Sequence, residues 1–172
     1  MMAGKSKRAD EAEGLGGVRG ARILIIESRY YEEIAAELLA GAEAELAAAG
    51  VSHERVTVPG ALEIPLALAQ AIKADLIGSD EVTARFDGCV ALGCVVRGET
   101  SHYDTVCDNA NHWLMDQAVR HGIPLGNAIL TVETEAQALA RARGGRQGKG
   151  ADAVRACLSL IALERQFAED EA

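Results

Sequence analysis

The chain has 172 residues, 49% of them hydrophobic and 3% aromatic, with a formal net charge of -9. That length and composition fit one domain with a core of Ala, Val, Leu and Ile, and the acidic balance without a basic stripe argues against a nucleic-acid partner. Every apolar run is broken by charge or glycine well short of the roughly 20 residues a bilayer span needs, so no membrane partner is expected either.

At the N-terminus Lys5, Lys7 and Arg8 are followed by Asp10, Glu11 and Glu13 rather than by an apolar segment. This is not a secretory leader, and the expected location is cytoplasmic. Residues 1–20 carry almost no large apolar side chains and cannot offset the entropy of ordering by burial in the monomer. A flexible tail, or an arm fixed by a neighbouring subunit, is expected there, with residues 21–172 forming a single α/β domain. The first strand is Arg22 to Glu27, apolar on both faces as a central parallel strand should be. It ends at Ser28-Arg29-Tyr30-Tyr31. Strong helix formers run from Glu32 to Ala49, with Ile34, Leu38, Leu39, Ala42 and Leu46 as an apolar stripe and Gly50 as the stop.

Val51 to Val58 reads as a second strand closed by Pro59-Gly60. Pro65 is tolerated near a helix start, so the next helix is expected to begin around Leu62 to Ile64, with Glu63 in or beside its first turn. An acid there is favoured by the helix dipole whether or not it has a function. Residues 74–86 look like a polar connection of little regularity. The third strand spans Phe86 to Val96, and a helix follows from Ser101 to His121 with Val106, Ala110, Trp113 and Ala118 near helical spacing. Pro124 to Val132 reads as a fourth strand and Thr134 to Arg143 as a short helix. Gly144 to Gly150 reads as a mobile, basic, glycine-rich loop, and a last helix is expected from Ala151 to about Phe167. Cys89, Cys94, Cys107 and Cys157 show no C-x-x-C spacing and two lie in an apolar strand, so buried thiols are expected rather than disulfides or a metal site.

Strand and helix alternate four times, which calls for a four-stranded parallel sheet with helices on both faces, a three-layer α/β sandwich. Ligands in such open sheets sit beyond the carboxyl ends of the strands. The most informative of these ends is Leu92 to Asp104, LGCVVRGETSHYD, a strand, a turn and a helix start. The first amides of such a helix lack backbone partners and carry partial positive charge, which favours an anion. Thr100 and Ser101 add hydroxyls, Gly98 lets backbone approach a ligand, and His102 can titrate near neutrality. The same letters also fit a plain capping box of Ser101 with Asp104.

VPGALEIP (Val58 to Pro65), LGCVVRGETSHYD, IPLGNAILTVE (Ile123 to Glu133) and RARGGRQGKG (Arg141 to Gly150) stand in the order and approximate spacing of the lumazine synthase family. The resemblance covers about residues 22–167. It implies a flavodoxin-like fold and condensation of 5-amino-6-(ribitylamino)uracil with 3,4-dihydroxy-2-butanone 4-phosphate to 6,7-dimethyl-8-ribityllumazine, the penultimate step of riboflavin synthesis. No metal or other cofactor is implied. Carried onto this sequence, the family's phosphate site falls on Glu99, Thr100 and Arg141, and its proton shuttle on His102. Tyr30 falls where the family usually stacks Phe or Trp on the uracil, while Tyr31 replaces what is often a small polar residue. Backbone of Ala61, Leu62, Cys94, Val95 and Val96 would hold the pyrimidine, and the Glu63 carboxylate the ribityl hydroxyls. Asn127 and Lys149 correspond to residues that line the adjacent subunit's site.

The resemblance therefore implies a homo-oligomer built on pentamers, with each site shared between subunits and riboflavin synthase as a candidate partner. The length of the 74–86 connection points to a free pentamer or a pair of them rather than a shell. Two other functions would use the same fold: a flavin or lumazine binding module without catalysis, suggested by Tyr30-Tyr31, and a structural shell protein. The second gives no reason for Glu63, Thr100, His102, Arg141 and Lys149 to occur together.

Overall fold

The computed structural model describes residues 16–78 and 84–172. Four strands, β1 (Arg22–Ser28), β2 (Ser52–Val58), β3 (Gly88–Val96) and β4 (Leu125–Val132), pair in parallel in the order β2-β1-β3-β4. The helices are α1 (Glu32–Ala49), α2 (Glu63–Lys73), α3 (His102–His121), α4 (Glu135–Ala142) and α5 (Lys149–Asp170). The first crossover moves outward from β1 to β2, and the next two move the other way, to β3 and β4. Crossovers of one hand then place α1 on one face of the sheet and α2 and α3 on the other. The expected three-layer α/β sandwich is what forms.

Alternation along the strands builds two cores. Ile23, Ile25, Val90 and Leu92 face α1, α4 and α5, while Leu24, Ile26, Cys89 and Ala91 face α2 and α3. β1 and β3 are buried on both faces almost throughout, as their continuous apolar runs require. β2 is an edge strand, largely exposed, with Val56 42% accessible. Leu38 and Leu46 of α1 are fully buried, each contributing roughly 1.5–3 kcal/mol by area. α1 and α3 both end on glycines in the left-handed region, Gly50 at φ 66° and Gly122 at φ 61°.

Several expectations are corrected. The segment Gly144 to Gly150 is built into the fold: Gly145–Gln147 form a 3-10 turn, Gly148 and Gly150 are buried, and α5 starts at Lys149, two residues before Ala151. The cause is close approach, since a Cβ at Gly150 would overlap the Leu38 carbonyl and one at Gly41 would stand 2.8 Å from the Gly145 oxygen. Arg146 also reaches Glu45, which is buried in α1. Of the connection at 74–86, residues 79–83 lie outside the described residues, but its flanks are anchored by a parallel bridge between the buried Ile77 and Phe86. Of the stretch 1–20, residues 1–15 lie outside the described residues. Of residues 16–20 Val18 alone is buried, in the core, and Arg165 of α5 donates to the carbonyls of Gly17 and Arg19 at 3.0 and 2.9 Å. No described helix is long and apolar enough to cross a membrane.

Candidate active site

The chain reverses direction across the sheet between β1 and β3, and a cleft of about 340 Å³ opens beyond the carboxyl ends of β1, β2 and β3. Its walls come from Tyr30 and Tyr31 after β1, Gly60 to Glu63 after β2, Cys94 to Val96 of β3, and Gly98, Thr100, His102, Tyr103 and Val106. This is where an open parallel sheet offers a ligand site, because the loops diverge there and leave a crevice. Tyr30, Ala61, Leu62, Glu63, Cys94, Val95, Val96, Thr100 and His102 are thus brought together as the sequence suggested. Glu99 is exposed in the same turn but does not line the cleft.

The turn into α3 is not the expected capping box. Ser101 is the cap residue but its side chain makes no capping bond; Thr100 Oγ1 instead accepts from the His102 amide at 3.3 Å. Asp104, freed from capping, lies 3.7 Å from Arg97. Arg97 also pairs with Glu133 at 2.9 Å and sits over the Tyr103 ring. The His102 ring makes no hydrogen bond or ion pair among the described residues, so it is free to meet a ligand. A Cβ at Gly98 would meet nothing within 4 Å, which leaves that side of the cleft open.

Glu63 opens α2, where the helix dipole favours its charge, and its Oε2 stands by Gly60. Tyr30 is 74% exposed, with its ring edge-on to Tyr31 at 5.0 Å between centroids. Tyr31 is half-buried; burial first, then neighbouring groups, push its phenol above the ordinary value. Burial, helped by the nearby Glu135 and Cys107, pushes the Cys94 thiol up to about 11, so it stays protonated and unreactive at neutral pH. All four cysteines are free, and Cys89, Cys94 and Cys157 are buried. No group of three or more metal-ligating side chains occurs among the described residues.

Besides Glu99, three expected site residues lie outside this cleft. Asn127 stands mid-strand in β4, where its Nδ2 donates to Asn111 Oδ1 at 2.8 Å and its Oδ1 accepts from the Ile129 amide at 2.9 Å. Arg141 is exposed in the last turn of α4 and donates to the Gln137 carbonyl at 3.0 Å. Lys149 begins α5 and pairs with Asp152 at 3.2 Å. Conversely, Gly60, Tyr103 and Val106 line the cleft without having been singled out for it, and Tyr31, noted only as a departure from the family's usual residue, lines it too. Tyr103 and Val106 were within reach of inference, since the latter is four residues from His102 on the same helix face.

An aromatic ring, a carboxylate, a hydroxyl at a helix start and an imidazole around one crevice define a small-molecule enzyme of the open parallel-sheet class. The family model of 6,7-dimethyl-8-ribityllumazine synthase matches residues 20–165. The chain is 52% identical over 161 residues to the 6,7-dimethyl-8-ribityllumazine synthase of Azorhizobium caulinodans, covering 94% of this chain and 97% of that one. To the enzyme of the same name from Xanthobacter autotrophicus it is 48% identical, over 97% of this chain and 99% of the other. To that of Methylobacterium radiotolerans it is 54% identical, over 85% and 84%. The chain belongs to the 6,7-dimethyl-8-ribityllumazine synthase family.

Proposed function

We propose that this chain condenses 5-amino-6-(ribitylamino)uracil with 3,4-dihydroxy-2-butanone 4-phosphate to give 6,7-dimethyl-8-ribityllumazine, phosphate and water. The observation that carries this reading is the convergence of Tyr30, Glu63, Thr100 and His102 on one cleft of small-molecule size. The uracil stacks on Tyr30, with its edges on backbone groups of Ala61, Leu62, Cys94, Val95 and Val96, and Glu63 accepts from ribityl hydroxyls. Thr100, the amides around Glu99 and Arg141 take the phosphate, the guanidinium offering two donors to two oxygens. The uracil amine forms an imine with the ketone and releases one water, a carbon-bound proton is lost as phosphate leaves, the enol returns to a carbonyl, and the second amine closes the ring with loss of a second water. His102, whose ring makes no other bond among the described residues, moves protons between these steps. Much of the rate comes from holding two substrates in register.

Asn127, Arg141 and Lys149 lie outside the cleft of their own chain, which supports a site completed by an adjacent subunit in a ring of five. Four free cysteines suit a reducing compartment, and we place the protein in the cytoplasm on that ground.

The test is a direct assay of purified protein with both substrates, following lumazine absorbance, with His102→Ala and Arg141→Ala alongside. Product that falls in Arg141→Ala, chiefly through a raised KM for the butanone phosphate, supports the reading. No product above the spontaneous reaction, from protein that still binds riboflavin, replaces it with a binding module.

A further inference from the structure

Tyr30 is largely exposed and its ring touches only Tyr31 among aromatic neighbours, so the ring's position depends chiefly on the backbone of residues 29–31. That backbone is tied down from below. Glu27, at the end of β1, is fully buried, and a buried carboxylate persists only when its oxygens are paired. Its Oε2 accepts from Arg29 Nη1 at 3.1 Å, and its Oε1 accepts from Thr57 Oγ1 on β2 at 3.1 Å. Arg55 Nη1 stands 3.4 Å from the same Oε1. Arg29 then turns its Nε to Glu32 Oε2 in the first turn of α1, at 3.0 Å. One guanidinium is therefore bonded to the residue two before it and the residue three after it, and Tyr30 and Tyr31 lie between.

We propose that Glu27 and Arg29 are positioning residues for the Tyr30 ring: the buried carboxylate holds the guanidinium, and the guanidinium fixes the short turn that presents the stacking surface. Neither side chain lines the cleft. The inference rests on the reading of Tyr30 as the pyrimidine's stacking partner. Its physical content is preorganisation, since a ring already held in place loses less freedom when the ligand binds. A pair that served only to join β1 to β2 would affect stability without distinguishing the two substrates.

The test compares the parent with Arg29→Gln, Arg29→Lys, Glu27→Gln and Tyr30→Ala. For each, KM for both substrates, kcat, Tm and product affinity by fluorescence are measured. Arg29 is partly exposed, so Arg29→Gln keeps the test decisive even where Glu27→Gln lowers the yield of folded protein. The expected result for Arg29→Gln is a KM for the ribitylaminouracil raised about fivefold to tenfold, with product affinity weakened in parallel. KM for the butanone phosphate and kcat stay within about twofold. Arg29→Lys recovers part of the loss, because the charge returns without the two-way fork. The double variant Glu27→Gln with Arg29→Gln is no worse than the poorer single one, as expected for a coupled pair. An unchanged pyrimidine KM in Arg29→Gln, beside a raised one in Tyr30→Ala, overturns the positioning role and leaves the stacking reading standing. An unchanged pyrimidine KM in Tyr30→Ala overturns both. Losses that follow Tm alone, with both KM values unmoved, reduce the pair to a structural contact and also overturn the proposal.

Discussion

Arg97 lies over the face of Tyr103, with the guanidinium carbon 4.2 Å from the ring centroid. The same guanidinium pairs with Glu133 beyond β4. The ring that lines the cleft beside His102 is thus covered on one face by a cation that a carboxylate holds in place. Arg97→Leu is expected to lower kcat by about threefold to tenfold with little change in Tm, because misplacement of a cleft wall affects the reacting geometry first. Steady-state kinetics beside a thermal melt would show it, and an unchanged kcat would remove Arg97 from the account.

The proposed completion of the site by a neighbour has a direct consequence for mixed oligomers. His102→Ala and Arg141→Ala, each impaired alone when assayed below the raised KM for the butanone phosphate, are expected to regain activity when unfolded and refolded together. Random mixing in a closed ring gives about a quarter of the sites both intact halves. Activity of the mixture no higher than the average of its parts would place both residues in one chain's site.

Glu45 faces the core from the middle of α1 and is bonded by Arg155 at 3.0 Å and Arg146 at 2.8 Å. These ties fasten the 3-10 turn and the start of α5 to α1. Glu45→Ala removes the carboxylate that Arg146 and the half-buried Arg155 share, leaving Arg155 only Asp152, and is expected to cost about 2 kcal/mol, read as a lower urea midpoint. Glu45→Gln, which keeps an acceptor, should lose less.

Gly150 and Gly126 let α5 approach α1 and β4 with no side chain between, and a Cβ at either would overlap a backbone oxygen, of Leu38 or of Ala153. Backbone cannot swing aside as a flexible side chain can. Gly150→Ala is expected to destabilise by about 2–3 kcal/mol, although alanine has the higher helix propensity. A variant as stable as the parent in urea would show that α5 can shift outward freely.

Burial pushes the Cys157 thiol up to about 12, and it pushes the Cys89 thiol up as well. A thiol whose folded-state pKa lies above its unfolded value of 9.0 contributes stability that is whole below that value and lost as pH rises through the folded one. Between these limits the unfolded chain releases protons that the folded chain keeps. Stability should therefore fall above about pH 9, by up to about 1.4 kcal/mol per pH unit for each thiol. Urea midpoints at about pH 8 and about pH 10.5 should diverge less in Cys157→Ala than in the parent. An equal divergence would assign the alkaline loss to other groups.

The order of strands and helices, the burial of β1 and β3, and the opening of a cleft at the strand ends were all legible in the chain, because each follows from a short-range signal. Apolar runs bounded by turn residues, the 3.6-residue stripe of α1 and the glycine stops act over a few neighbours. So was the grouping of Tyr30, Glu63, Thr100 and His102, since each closes or follows a strand of a parallel sheet. Tertiary structure alone decided which acids would be buried. Glu45 sits in an alanine-rich helical run that reads as solvated on one face, and its partners Arg146 and Arg155 lie 101 and 110 residues away. Glu27 looks like the last residue of an apolar strand until Thr57, 30 residues on, is set beside it by the pairing of β1 with β2. The ordering of Gly144 to Gly150 has the same origin: locally the segment has every reason to move, and it is held by a carboxylate and a helix backbone that only the fold brings to it. Local propensity determines what each segment can become, whereas the pairing of a buried charge depends on which distant donor the packing delivers.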